Sequence, residues 1–431
     1  MLIASLGFLL AFLLIFLRVP IALSMAMAGF LGFGYLVGWP QAMTMMAFVA
    51  RDTAMSYTLI VVPLFLLMGN LVAGAGISYD LFRSAQSFLS ARRGGLASAT
   101  IVASAGFAAI CGSSVATVVT MAKVAIPSMR EFKYDDQIST ASIAAGATLG
   151  ILIPPSVILL IYGVATETHI GKLYAAGLFP GLLGVALYLL AVRWAVSRNP
   201  DFAPEIAKER WSTRFHSLTR IWPALLLFIL VIGGIYGGIF TATEAAGIGA
   251  GGALALAIVR RSLSFVQFYA ILLDTAKTSV VLLTLVLGAG IFSEFLNYSG
   301  AHSVLLNFIL DSNFSPWMVI AIICVIYILL GMVMETMSMI LLTVPIFFPI
   351  VMGLGYDPVW FGILIVVLAE LGLITPPIGI NLFVIKSIVS EVSISTIVRG
   401  IIPFICADLV RVALIALFPI ISLYLPSLLF G

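Results

Sequence analysis

Gly150-Ile151-Leu152-Ile153-Pro154-Pro155-Ser156 and Gly372-Leu373-Ile374-Thr375-Pro376-Pro377-Ile378-Gly379 decide how this chain is read. Each sets a double proline inside a long apolar run. Two adjacent prolines remove two backbone donors and disfavour helix before them, so a helix ends there. The freed carbonyls then need partners. At membrane depth such a break is tolerated only where the backbone is buried in protein or lines a wet cavity. One Pro-Pro alone is most simply a kink that shapes packing. Two copies at a fixed spacing are a pattern.

The spacing is 222 positions, from Gly150 to Gly372, and other residues keep it. Asp52-Thr53-Ala54 falls on Asp274-Thr275-Ala276, Pro127 on Pro349, and Tyr134-Asp135 on Tyr356-Asp357. One further step, an offset of 223, aligns Gly177 and Pro180 with Gly400 and Pro403. Leu and Ile matches carry little weight in an apolar chain. Asp, Tyr, Gly and Pro matches at one offset carry more. The chain therefore reads as a first repeat over 1–196, a polar connector over 197–220 and a second repeat over 221–431. Duplicated halves are common in secondary transporters, where they are often inverted in the membrane.

Composition sets the solvent. Of 431 residues, 62% are hydrophobic and 9% charged, against about a quarter charged in an average soluble domain. A soluble fold cannot hide that much apolar surface. A bilayer removes the need, at about 20 apolar residues per crossing. The predicted fold class is an all-α polytopic membrane protein with broken helices. The first apolar run, Leu2 to Leu17, lacks a basic leader and a cleavage motif, and reads as a retained segment. The connector carries Arg198, Lys208, Arg210, Arg214 and Arg220, which places it on the cytoplasmic side. It also reads as an amphipathic helix that can lie on that face. No basic tract with interleaved aromatics supports nucleic-acid binding. Cys111, Cys324 and Cys406 have neither disulfide nor metal-ligand spacing, and His169, His216 and His302 are scattered.

Chemistry concentrates at the breaks. Ser113, Ser114 and Thr117 precede the first, and Glu335, Thr336 and Ser338 the second. Unwound carbonyls with Ser and Thr hydroxyls supply hard oxygen ligands for a cation such as sodium, and free helix N-termini supply dipoles for an anion. Glu335 and Glu370 are acids within apolar sequence. Such residues serve a cation or a proton, or else pack as hydrogen-bonded structural acids. Lys123 and Lys386 lie near the broken segments, where snorkelling to an interface is their commoner fate. An intramembrane enzyme would need a base beside Ser113 or Ser114. Lys123 is the only nearby candidate, and the duplication has no role in that reading. Transport is the expectation, and no enzyme activity.

With these residues in view, a family resemblance is plain. Gly112-Ser113-Ser114-Val115-Ala116-Thr117, Ile126-Pro127-Ser128-Met129, Gly150 to Ser156 and on to Tyr162-Gly163 resemble the large membrane subunit of TRAP (tripartite ATP-independent periplasmic) transporters. So do Ile170-Gly171-Lys172-Leu173 and Ala176-Gly177-Leu178-Phe179-Pro180-Gly181. Gly238 to Ala246 resembles the family's turn into its second half, with Ala242 where Pro is usual. Pro345, Pro349, Ile374 to Gly379 and Asn381 continue the likeness.

The resemblance implies an elevator-type transporter with two re-entrant hairpins, in which a transport domain slides along a fixed scaffold. It implies sodium-driven import of a small organic acid, such as a dicarboxylate or a sialic acid, across the bacterial inner membrane. The implied partners are a periplasmic substrate-binding protein and a small four-helix membrane subunit, expected here as a separate chain. On that analogy sodium lies at Ser114, Thr117, Gly150, Pro154, Pro155, Thr336, Ser338, Thr375, Pro376 and Gly379. The substrate is expected among Ser113, Ser114, Ser156, Glu335, Thr336 and Asn381. The rival expectations are a related carrier that needs no binding protein and a proton-coupled carrier using Glu335 or Glu370.

Overall fold

The computed structural model describes residues 2–206, 208–312 and 314–431, and the regular elements among them are helical. The first half runs α1 (Leu2–Phe16), α2 (Ile21–Val37), α3 (Trp39–Met55), α4 (Val61–Gly74), α5 (Ile77–Leu89), α6 (Gly95–Cys111), α7 (Ser114–Glu131), α8 (Asp136–Leu149), α9 (Val157–Ala165) and α10 (Ile170–Arg198). The second runs α11 (Trp211–Tyr236), α12 (Ala242–Val259), α13 (Phe265–Ser299), α14 (Ala301–Asp311), α15 (Pro316–Gly331), α16 (Thr336–Gly353), α17 (Pro358–Ile374), α18 (Ile380–Ile388), α19 (Ile394–Leu417) and α20 (Ile420–Phe430). Among the described residues, α10 to α13, α16 and α19 are long and apolar enough to cross a bilayer, and α3 with α4 qualifies as one span bent by 57°.

Helix boundaries keep the offset read in the sequence. α7 and α16 are 18 residues each and start at Ser114 and Thr336, 222 positions apart. α8 and α17 start at Asp136 and Pro358, the same step. α9 and α18, nine residues each, follow the two Pro-Pro breaks. The local cause is shared punctuation. Asp135 accepts from the Gln137 amide at 2.7 Å, and Asp357 from Val359 and Trp360 at 2.8 and 3.1 Å. Each aspartate satisfies orphan donors at a helix start. Pro127 and Pro349 lie inside α7 and α16.

Packing partners recur with the halves exchanged. α2 packs on α13 and α12 on α4; α9 on α16 and α18 on α7; α8 on α19 and α17 on α10. Such reciprocity is what a two-fold relation between repeats produces. One element departs from it. The unbroken 35-residue α13 stands where the first half has the bent pair α3 and α4. The connector departs from the expected single amphipathic helix. A short 3-10 turn at Pro200–Phe202 follows α10, and α11 begins at Trp211, carrying its polar first turns directly into an apolar span. Pro200 and Pro204 explain the interruption, since neither can continue a helix from α10. The leading apolar run forms α1, which packs on α2 and α13.

Candidate functional site

Two helical hairpins carry the candidate residues. α6 turns into α7 through Gly112, whose φ of 68° is open to glycine without a Cβ penalty. Ser113 then caps α7, its Oγ accepting from the Ala116 amide at 3.3 Å. α15 turns into α16 at the equivalent place, and there Glu335 is the cap. One of its carboxyl oxygens accepts from the Met337 and Ser338 amides at 3.0 and 3.2 Å.

The two turns meet at a cavity of about 160 Å³. Its wall is built from repeat-matched pairs: Ser113 with Glu335, Ser114 with Thr336, Val115 with Met337, and Ile151 with Leu373. Gly112, Val157 and Ile158, with Leu66 of α4 and Thr278 and Leu282 of α13, complete it. No basic side chain is among the lining residues, so anion recognition there rests on hydroxyls, backbone donors or a bound cation. A larger trough of about 620 Å³ runs along α3 beside Asp52 and Glu294 and contains none of the candidate residues.

A buried side chain stands behind each tip. Asn381 of α18 donates its Nδ2 to Ser114 Oγ at 2.8 Å and to the Ala144 carbonyl at 3.2 Å. The Ala144 carbonyl can only accept, which fixes the amide's orientation. Glu370 of α17, fully buried, accepts from Thr336 Oγ1 at 3.1 Å. Asn381 Oδ1 and Glu370 Oε2 are buried without a protein partner. Buried oxygens of this kind usually have a partner.

The other predicted residues fall outside the cavity wall. Thr117 donates to the Ser113 carbonyl at 2.8 Å, and Ser156 caps α9 by accepting from Leu159 at 3.1 Å. Gly150, Pro154 and Pro155 are buried at the first break, and Pro376 and Pro377 at the second are more open. Thr375 donates to the Leu371 carbonyl at 2.6 Å. Ser338 is buried in the first turn of α16, and Gly379 caps the start of α18 with φ 57°. Lys123 is exposed on α7, and Lys386 closes the end of α18 by donating to the Ser390 and Val392 carbonyls at 2.5 and 2.8 Å.

Sequence reasoning missed a second buried network. Asp408 accepts from Tyr188 at 2.5 Å and from Arg411 at 3.2 Å, and Arg411 also donates to the Pro180 carbonyl at 3.1 Å. The pair ties α19 to α10. An acid and an arginine three residues apart within the apolar run 397–428 was the available signal. Thr278 carried no comparable signal, because only packing brings α13 to the cavity.

The family described as tripartite ATP-independent periplasmic transporter, DctM component, matches residues 8–421. The C4-dicarboxylate TRAP transporter large permease protein DctM of Pseudomonas aeruginosa is 36% identical over 391 residues, covering 90% of each chain. The sialic acid TRAP transporter large permease protein SiaM of Vibrio cholerae is 34% identical, covering 87% of this chain and 88% of its own. Among solved structures, the YdaH transporter of Alcanivorax borkumensis superposes with a TM-score of 0.66 over 89% of each chain at 17% identity, a likeness of fold alone.

Proposed function

This chain belongs to the DctM-component family of tripartite ATP-independent periplasmic transporters, a large permease and not an enzyme, and from that premise we propose that it imports a small organic acid across the inner membrane, driven by sodium. The named substrates of its relatives, C4-dicarboxylates and sialic acid, set the substrate class. The observation that carries the reading is the single cavity shared by the equivalent tips of both hairpins.

In this mechanism sodium ions are co-substrates held by hard oxygens at the tips and at the two breaks. Their charge compensates for the absence of a basic side chain in the cavity and attracts a carboxylate. The first tip also offers the α7 N-terminus and the hydroxyls of Ser113 and Ser114. Both hairpins, with α8, α9, α17 and α18, form the moving body of an elevator built on inverted repeats. α2, α4, α12 and α13 form its scaffold. Inward crossing is coupled to loading, because a polar site without its ions is costly to drag past apolar scaffold, and the emptied body returns to reload. A periplasmic binding protein delivers the substrate, and a small four-helix subunit completes the membrane complex.

The test is uptake of a labelled dicarboxylate and a labelled sugar acid into vesicles holding this chain and its small subunit. Sodium and the binding protein are each added or withheld. Uptake that needs both is expected. Uptake without the binding protein would make the chain a direct carrier, and uptake that follows a proton gradient alone would remove sodium from the mechanism.

A further inference from the structure

Thr336 and Ser114 occupy equivalent positions, yet the groups behind them impose opposite polarity. Ser114 Oγ accepts from Asn381 and keeps its proton free. Thr336 does the reverse: its hydroxyl proton is committed to Glu370 Oε1 at 3.1 Å. A hydroxyl has one proton and two lone pairs. With the proton held from behind, Thr336 turns only lone pairs toward the cavity.

We propose that Glu370 is a positioning residue that makes Thr336 an acceptor-only ligand and so dedicates the second hairpin tip to a cation. The assignment rests on the sodium-coupled reading above. Three observations support it. Glu370 is fully buried and absent from the cavity wall, and its hydrogen bond goes to Thr336, which lines it. Among the described residues its carboxyl is in no ion pair: Arg411 bonds Asp408 and the Pro180 carbonyl, with its Nη2 left without a partner, and Tyr188 bonds Asp408. The cap at this tip strengthens the same polarity. Glu335 has taken up the Met337 and Ser338 amides, donors that would otherwise favour an anion. At the first tip the Ser113 cap is a neutral hydroxyl. Two repeat-equivalent turns thus present a donor-rich face and an acceptor-rich face to one cavity.

The same reasoning yields a pair of variants that separate the acceptor from the charge. Glu370→Met has similar bulk and no acceptor, so the Thr336 proton is released toward the cavity. Glu370→Gln keeps a carbonyl acceptor for Thr336 without the acid. The experiment measures half-saturating sodium and, at saturating sodium, substrate KM in vesicles of the complete complex, with folding checked by the yield of assembled complex. Glu370→Met is expected to raise half-saturating sodium by about tenfold or more, the scale of a hydrogen bond to a charged group, with KM at saturating sodium little changed. Glu370→Gln is expected to stay near the wild-type value. Equal sodium dependence in Glu370→Met and wild type would overturn the assignment. So would a Gln variant as impaired as Met, or a parallel loss of yield, sodium response and KM. Wild-type uptake indifferent to sodium would instead remove the sodium-coupled reading itself.

Discussion

Ser114 is where the two halves of the chain meet most directly. Its hydroxyl lines the cavity from the first hairpin and is held by an amide from the second broken segment, 267 positions away. Ser114→Ala deletes the cavity hydroxyl and leaves Asn381 with one partner. We expect uptake at fixed, subsaturating sodium to fall about tenfold, equivalent to about 1.4 kcal/mol and within reach of one hydrogen bond to a charged ligand. Undiminished sodium-dependent uptake in reconstituted vesicles would show that the first tip does not bind. Asn381→Ala strips both contacts from a buried site and should also cost about 1–3 kcal/mol of stability, visible as a lower unfolding temperature of the purified complex. The tips themselves were legible in the sequence, because hydroxyls and an acid within apolar runs stand out against their background. The roles behind them were not. Asn381, expected as a substrate contact, is absent from the cavity wall and bonds Ser114 from behind. Glu370 was noticed as an acid, but its contact with Thr336 spans 34 positions and exists only once α16 and α17 are packed.

At the scale of elements, the recurring glycines show why the repeat kept certain residues. Gly150 lies where α8 ends against Ala108 and Ala109 of α6. Gly372 lies at the equivalent place on α17, against Gly331 of α15. A side chain at either position would meet backbone, which cannot move aside as a flexible side chain can. Gly150 needs no unusual conformation, with φ −74°, so close approach alone explains it. Gly150→Ala and Gly372→Ala should each destabilise by about 1–3 kcal/mol through overpacking. The check is thermal unfolding of the purified complex, and an unchanged midpoint would mean that the hairpins are loosely seated on the broken helices. Helix starts were equally readable: the Tyr-Asp matches mark caps in both halves. Bends were less so. The 57° bend between α3 and α4 was not expected, although Pro63 stands in the first half where the unbroken α13 has Leu285, and a proline disfavours continuous helix.

For the whole molecule, the question is whether the cavity moves relative to the helices that complete its wall. Three wall residues, Leu66, Thr278 and Leu282, belong to α4 and α13, which pack with α12 and α2. The others belong to the hairpins and to the residues flanking the first and preceding the second Pro-Pro break. In an elevator these two sets part company in each cycle. In a fixed site with local gates they stay together. Val115 on the first tip and Thr278 on α13 face the same 160 Å³ space, so cysteines placed at both positions lie within reach of a short bifunctional thiol reagent. With Cys111, Cys324 and Cys406 replaced, the linked pair should abolish net uptake, and cleaving the linker should restore it. Each single cysteine treated with the reagent controls for simple obstruction of the cavity. Net uptake that persists while gel analysis shows the two positions linked would mean that the hairpin tips need not leave α13, and the sliding-domain mechanism would give way to gating around a stationary site.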